Sequence, residues 1–173
     1  NVFPPTLLLS RLGDRLALLT AGPRDQPSRL RTLRDSVAWS DELLAPEERR
    51  LFRRLAVFTR GFTLEAAEGV MGADEAGDVL AGITTLVHAS LLKQIAGLDG
   101  DVRFLMLETI REYARERLVA SGEEQAFRAA HAAWYAGVAD EAETHLLREV
   151  EASWLDRLAA DDENLRLALA WSL

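Results

Sequence analysis

Leu91-Leu92-Lys93-Gln94-Ile95 and Val102-Arg103-Phe104-Leu105-Met106 flank Gly97-Leu98-Asp99-Gly100, and the reading of this stretch decides the fold. Two short runs of aliphatic and aromatic residues around a Gly- and Asp-containing joint are the pattern of paired strands with a turn. Upstream the period is helical. Over about Asp78 to Ala89, Val79, Leu80, Ile83, Leu86 and Val87 fall on one apolar side. Before it, Thr63 caps a short helix that runs through Met71 and ends at Gly72. An earlier helix opens at Pro46, a residue suited to a first turn, with Glu47 and Glu48 at the positive end of the helix dipole. Leu51, Phe52, Leu55, Ala56 and Phe58 make its buried face, Arg49, Arg50, Arg53 and Arg54 are left on the wet side, and Gly61 breaks it.

Three helices followed by a β-hairpin is the order of a winged helix. The expected fold is mainly α: a winged-helix-like unit with a small β-hairpin, flanked by helices and followed by a helical-hairpin, TPR-like lobe. On the N-terminal side, Thr6 caps a helix with Leu8, Leu12, Leu16 and Leu19 on one face, stopped by Gly22-Pro23. Ser28 opens a second, with Leu30, Leu33, Val37 and Leu44 as its stripe and Trp39 off that stripe against a neighbouring element. After the hairpin, Ile110, Tyr113, Ala114 and Leu118 form a helix that Ser121-Gly122 ends. Phe127, Ala130, Trp134 and Val138, then Trp154, Leu155 and Leu158, then Leu165, Leu169 and Trp171 keep a helical rhythm. The divisions expected are 1–45 as a helical lead-in, 46–120 as the winged-helix-like domain, and 121–173 as a helical lobe that could start a repeat array.

The chain has 173 residues, 49% of them apolar, and a net charge of −8. No run approaches the ~20 apolar residues of a membrane span, and no signal-peptide pattern opens it. The absence of cysteine removes disulfides and thiolate chemistry and fits a reducing cytoplasm. The first residue is not methionine, so the chain is read as a piece of a longer protein. Its charge is uneven. Residues 1–60 carry eleven arginines against seven acids, and no lysine or arginine occurs between Gly61 and Leu92. Glu65, Glu68, Asp74, Glu75 and Asp78 lie in that stretch, which cannot neutralise phosphates. The expectation is no direct nucleic-acid contact by this chain and no membrane contact. The alternative is a DNA-binding winged-helix transcription-factor domain, for which only Lys93 and Arg103 offer charge.

Chemistry is sparse. The only lysine, Lys93, follows Leu92 rather than glycine, so no Gly-Lys-Ser/Thr phosphate loop is present and no catalytic residue is assigned. Glu141, His145 and Glu149 share a helical face at spacings of four, but a Glu-rich face is ordinarily solvated, and no metal site is assigned. Asp161-Asp162-Glu163 reads as carboxylates near a helix N-terminus. The arginines at 49–54 suit phosphate or an acidic domain, against the plainer reading of a solvated face partly paired by Glu47 and Arg50.

Several segments together resemble a known family. They are Leu33–Ser40, Leu43–Arg49, Leu55–Ala67, Leu86–Leu92, Leu107–Ala114 and Asn164–Leu169. In this order they resemble the part of bacterial STAND (NB-ARC-like) ATPase regulators, of the LuxR- or SARP-associated type, that follows the P-loop core. The resemblance implies a non-catalytic regulatory module. It would dock on the nucleotide-binding core and control an ADP/ATP-dependent open-closed switch. Partners would be that core within the same protein and downstream helical repeats, with homo-oligomerisation on activation. The cofactors implied are ATP or ADP with Mg for the parent protein and none for this chain. Met106-Leu107-Glu108 stands where the family often carries a nucleotide-sensing Met-His-Asp. Leucine cannot donate to phosphate, so Arg103 or Arg111 would have to replace it.

Overall fold

The computed structural model describes residues 26–72, 76–97, 101–148 and 152–172. Its elements are α1 (Gln26–Leu43), α2 (Pro46–Arg54) with a 3-10 turn at Leu55–Val57, β1 (Phe62–Thr63), α3 (Leu64–Met71) and α4 (Ala76–His88). β2 (Lys93–Ala96), β3 (Val102–Leu105), α5 (Glu108–Ala120), α6 (Glu124–Arg148) and α7 (Ala152–Ser172) complete it. The described residues from Val37 onward form one compact unit, and those before it belong to another. The expected helix with Leu8 to Leu19, the hairpin tip at 98–100 and Glu149 lie outside the described residues.

The winged-helix order is present, with one strand more than the hairpin alone. The sheet runs β1-β3-β2, all antiparallel, with Phe62 opposite Phe104 and Lys93 opposite Leu105. Thr63 closes β1 and also caps α3, its hydroxyl accepting from the Ala66 amide at 3.1 Å. α2 starts at Pro46, and the Glu48 carboxylate accepts from the Ala45 amide at 2.9 Å. Phe52, Leu55, Phe62, Ile83 and Leu86 are fully buried and anchor one continuous core.

Two helix contacts depend on glycine. A methyl at Gly82 would stand 2.4 Å from Leu51 Cδ2, and one at Gly69 would stand 2.1 Å from the Trp134 ring. These bare positions let α4 close on α2 and α6 close on α3.

Several expectations are corrected by packing. Leu80 sits outside the buried side of α4, at 53% exposure. Trp39 is 66% exposed and Leu33 also faces outward. The arginines of α2 are not a wet face. Arg49 donates to the carbonyls of Asp41, Glu42 and Leu44, satisfying the open C-terminal end of α1. Arg54 is buried and shares Glu123 with Arg53, both pairs at 2.7 Å. Burial alone would raise the Glu123 carboxyl, but hydrogen bonds from Arg54, Arg53 and Ser121 outweigh it and bring it down to about 2. Only Arg50 keeps the simple pairing expected of it, with Glu47 at 3.6 Å.

In α6 and α7 the inward residues include polar ones. His131, Tyr135, Val138 and Ala142 face in from α6, and Asp161, Asn164 and Ala168 from α7. Leu155, Leu169 and Trp171 are exposed. Asp161 therefore lies in the middle of α7, not near a helix start. Among the described residues no helix is long and apolar enough to cross a membrane.

Candidate nucleic-acid interface and the joint behind it

α4 is the third helix of the winged unit. Val79, Ile83 and Leu86 fix it to the core, which leaves Leu80, Ala81, Thr84 and His88 facing outward. The Thr84 hydroxyl donates to the Leu80 carbonyl at 2.8 Å and Thr85 to that of Ala81 at 3.2 Å. Past the end of the helix, Lys93 and Gln94 of β2 are exposed. α4 itself contains no lysine or arginine.

Arg103, the other cation considered for DNA, is not available. It is 7% exposed, and its guanidinium pairs with Asp161 and donates to the Gly61 carbonyl at 3.3 Å. Around this pair the structure builds a buried joint that the sequence alone did not reveal. Tyr135 donates to Asp161 at 3.3 Å, and Asn164 donates to the Gly61 carbonyl and accepts from the Thr59 amide, each at 2.9 Å. The His131 ring meets the Asn164 carbonyl oxygen at 3.3 Å and the Phe58 ring edge-on at 5.3 Å. Burial pulls the His131 imidazole down to about 4 against the opposing pull of Asn164 and Asp161, so it is neutral at neutral pH. Burial beside Asp161 likewise raises the Tyr135 phenol and keeps it protonated. The joint holds α7 and α6 against the 59–61 strap and β3, and its polar groups bond one another.

The residues proposed for nucleotide sensing are divided between core and surface. Met106 is buried, whereas Leu107 is the half-exposed residue just before α5. Glu108 and Arg111 pair with each other at 2.6 Å at the surface, and the Arg111 hydrogen bond holds the Glu108 carboxyl below its usual range. Of the face formed by Glu141, His145 and Glu149, Glu149 lies outside the described residues, and the His145 ring stacks on that of Trp154 at 4.9 Å. A cleft of about 310 Å³ lies between Asp41, Glu42, Arg49, Arg53, Arg117 and Ser121. Its arginines are engaged, Arg117 by the Tyr113 hydroxyl at 2.9 Å and Arg53 by Glu123.

Residues 44–119, from the residue before the Ala45 cap through α5, match the family described as winged helix-turn-helix domain. This chain contains a winged helix-turn-helix domain. Proteins of Mycobacterium tuberculosis and Mycobacterium bovis named "Putative HTH-type transcriptional regulator" are 36% identical over 170 residues, which is 97% of this chain and 19% of theirs. An uncharacterized protein of Mycobacterium tuberculosis is 33% identical over 129 residues, 73% of this chain and 33% of its own. The chain thus spans a minor part of the curated relatives it matches. No solved structure matches it.

These findings overturn the expectation of no direct nucleic-acid contact: a helix-turn-helix domain, homologous to proteins named as transcriptional regulators, points to DNA. The physical reason lies in what the charge argument leaves out. A helix without cations forgoes phosphate neutralisation, but sequence is read at base edges by hydrogen bonds and apolar contacts, which need no charge.

Proposed function

We propose that this chain is the DNA-contacting winged helix-turn-helix part of a transcriptional regulator, with α4 toward the groove and Lys93 and Gln94 past its end. The observation that carries the reading is the match of residues 44–119 to a helix-turn-helix domain whose third helix keeps an outward face unused by the core. With few cations near that face, binding should be weak and depend modestly on salt. Anisotropy of a labelled duplex, titrated from about 20 mM salt upward, tests this. A slope of log K against log salt of about −1 to −3 is expected from one to three phosphate contacts. No binding at the lowest salt rejects it.

A second reading is favoured by the absence of Lys and Arg from α4 and by the ion pairing of the α2 arginines. Here the module also docks on a nucleotide-binding core in a larger STAND-type regulator that binds ATP or ADP with Mg in the cytoplasm. The sequence resemblance supports it. The Glu108–Arg111 pair would have to open before Arg111 could reach a phosphate. Titration of the chain with a separately made core in ADP and in ATP tests this, and equal binding in both states removes it.

A further inference from the structure

We propose that the outer face of α4 selects A·T over G·C base pairs, with the Leu80 and Ala81 methyl groups meeting thymine methyls. The inference rests on the DNA-contact reading above and adds which bases that face would accept. Leu80, Ala81, Thr84 and His88 recur at spacings that stack them along one side of the helix, and all four are exposed. Leu80 has no role in the core to explain its place, at 53% exposure.

The hydrogen-bond pattern decides what this face offers. Thr84 and Thr85 turn their hydroxyl protons back to the carbonyls of Leu80 and Ala81. What points outward is therefore methyl groups and hydroxyl lone pairs. No Arg, Lys, Asn or Gln occurs anywhere in α4, and His88, its last residue, is the one ring donor. In the major groove guanine shows two acceptors, N7 and O6, which are met by donors such as arginine. Adenine shows an acceptor at N7 and a donor at N6, thymine an acceptor at O4 and a methyl group, and cytosine a donor at N4. Both pairs offer two acceptors and one donor, so what sets A·T apart for a face of methyl groups is the thymine methyl.

The test uses the full chain at low salt and three duplexes: poly(dA-dT), poly(dA-dU), which differs by lacking the thymine methyl, and poly(dG-dC). The expected affinity is highest for dA-dT, above both dA-dU and dG-dC. Each methyl contacted is worth about fourfold, the equivalent of roughly 0.8 kcal/mol for a buried methylene-sized group. Leu80→Ala should bring the dA-dT to dA-dU ratio toward one with the melting temperature unchanged. Equal wild-type affinity for dA-dT and dA-dU, or a preference for dG-dC, overturns the inference while leaving DNA contact standing. No binding to any of the three removes the DNA-contact reading and this inference with it.

Discussion

The outer face of α4 presents Leu80, Ala81, Thr84 and His88 with no cation, whereas the joint beneath α7 buries Arg103, Asp161, Asn164, His131 and Tyr135 in one bonded set. The contrast teaches where this chain places its polar chemistry. The one arginine of the hairpin strands serves architecture, fixing α7 on β3, and α4 is left without a lysine or arginine. A polar residue is costly inside only when unpaired, and each of these five has a partner. Affinity for a polyanion is then limited by the outer face, and stability by the inner joint.

Breaking the joint should have the largest effect. Asp161→Ala strands the Arg103 guanidinium in the interior and should lower the unfolding free energy by about 3–5 kcal/mol in a urea titration. A loss under about 1 kcal/mol would show that the joint is dispensable. Next comes the joint's own pH signature. The His131 pKa is lowered on folding, from 6.5 to about 4, so the unfolded chain binds the proton first. Its contribution is complete above about pH 6.5 and is lost as pH falls toward about 4, on the order of 3–4 kcal/mol at roughly 1.4 per unit. His131→Gln should flatten the stability profile across that window. Glu123, lowered to about 2, contributes above about pH 4.5 and is lost as pH falls toward 2. Glu123→Gln should remove that lower step only.

A smaller loss is expected at the close helix contact. Gly69→Ala should destabilise by about 1–3 kcal/mol, because the Trp134 ring must shift, although alanine is the better helix former. On the α4 side, Leu80→Ala should stay within about 0.5 kcal/mol of wild type in the same titration, as exposed positions do. A larger loss there would mean that α4 uses Leu80 for packing and would blur the distinction between the two regions.

Much of the frame is legible in the sequence for physical reasons. Pro46 with Glu47 and Glu48, Thr63 as a cap, and Gly72 and Ser121-Gly122 as stops are local signals that set the helix ends observed, whereas the Pro46 helix stops at Arg54, well before Gly61, and the strand expected from Leu91 begins at Lys93. β1 is not legible, because two residues, Phe62 and Thr63, are too few to show alternation. The joint is not legible because counting apolar stripes passes over His131, Asp161 and Asn164, and the partner of Arg103 lies 58 residues away. The stripe through Phe127, Ala130 and Trp134 is half-buried, displaced by the inward turn of His131 and Tyr135. For function, the missing cations of α4 are plain in the sequence. Their meaning is not, because the tying back of the Thr84 and Thr85 hydroxyls needs coordinates.

The central claim is that α4 and β2 form the surface that meets duplex DNA. Amide hydrogen exchange of the full chain, with and without poly(dA-dT) at low salt, tests it most directly. The account predicts added protection concentrated in residues 76–97, with the joint at 159–165 unchanged. Protection centred on α2 and α5, or none anywhere, would contradict it.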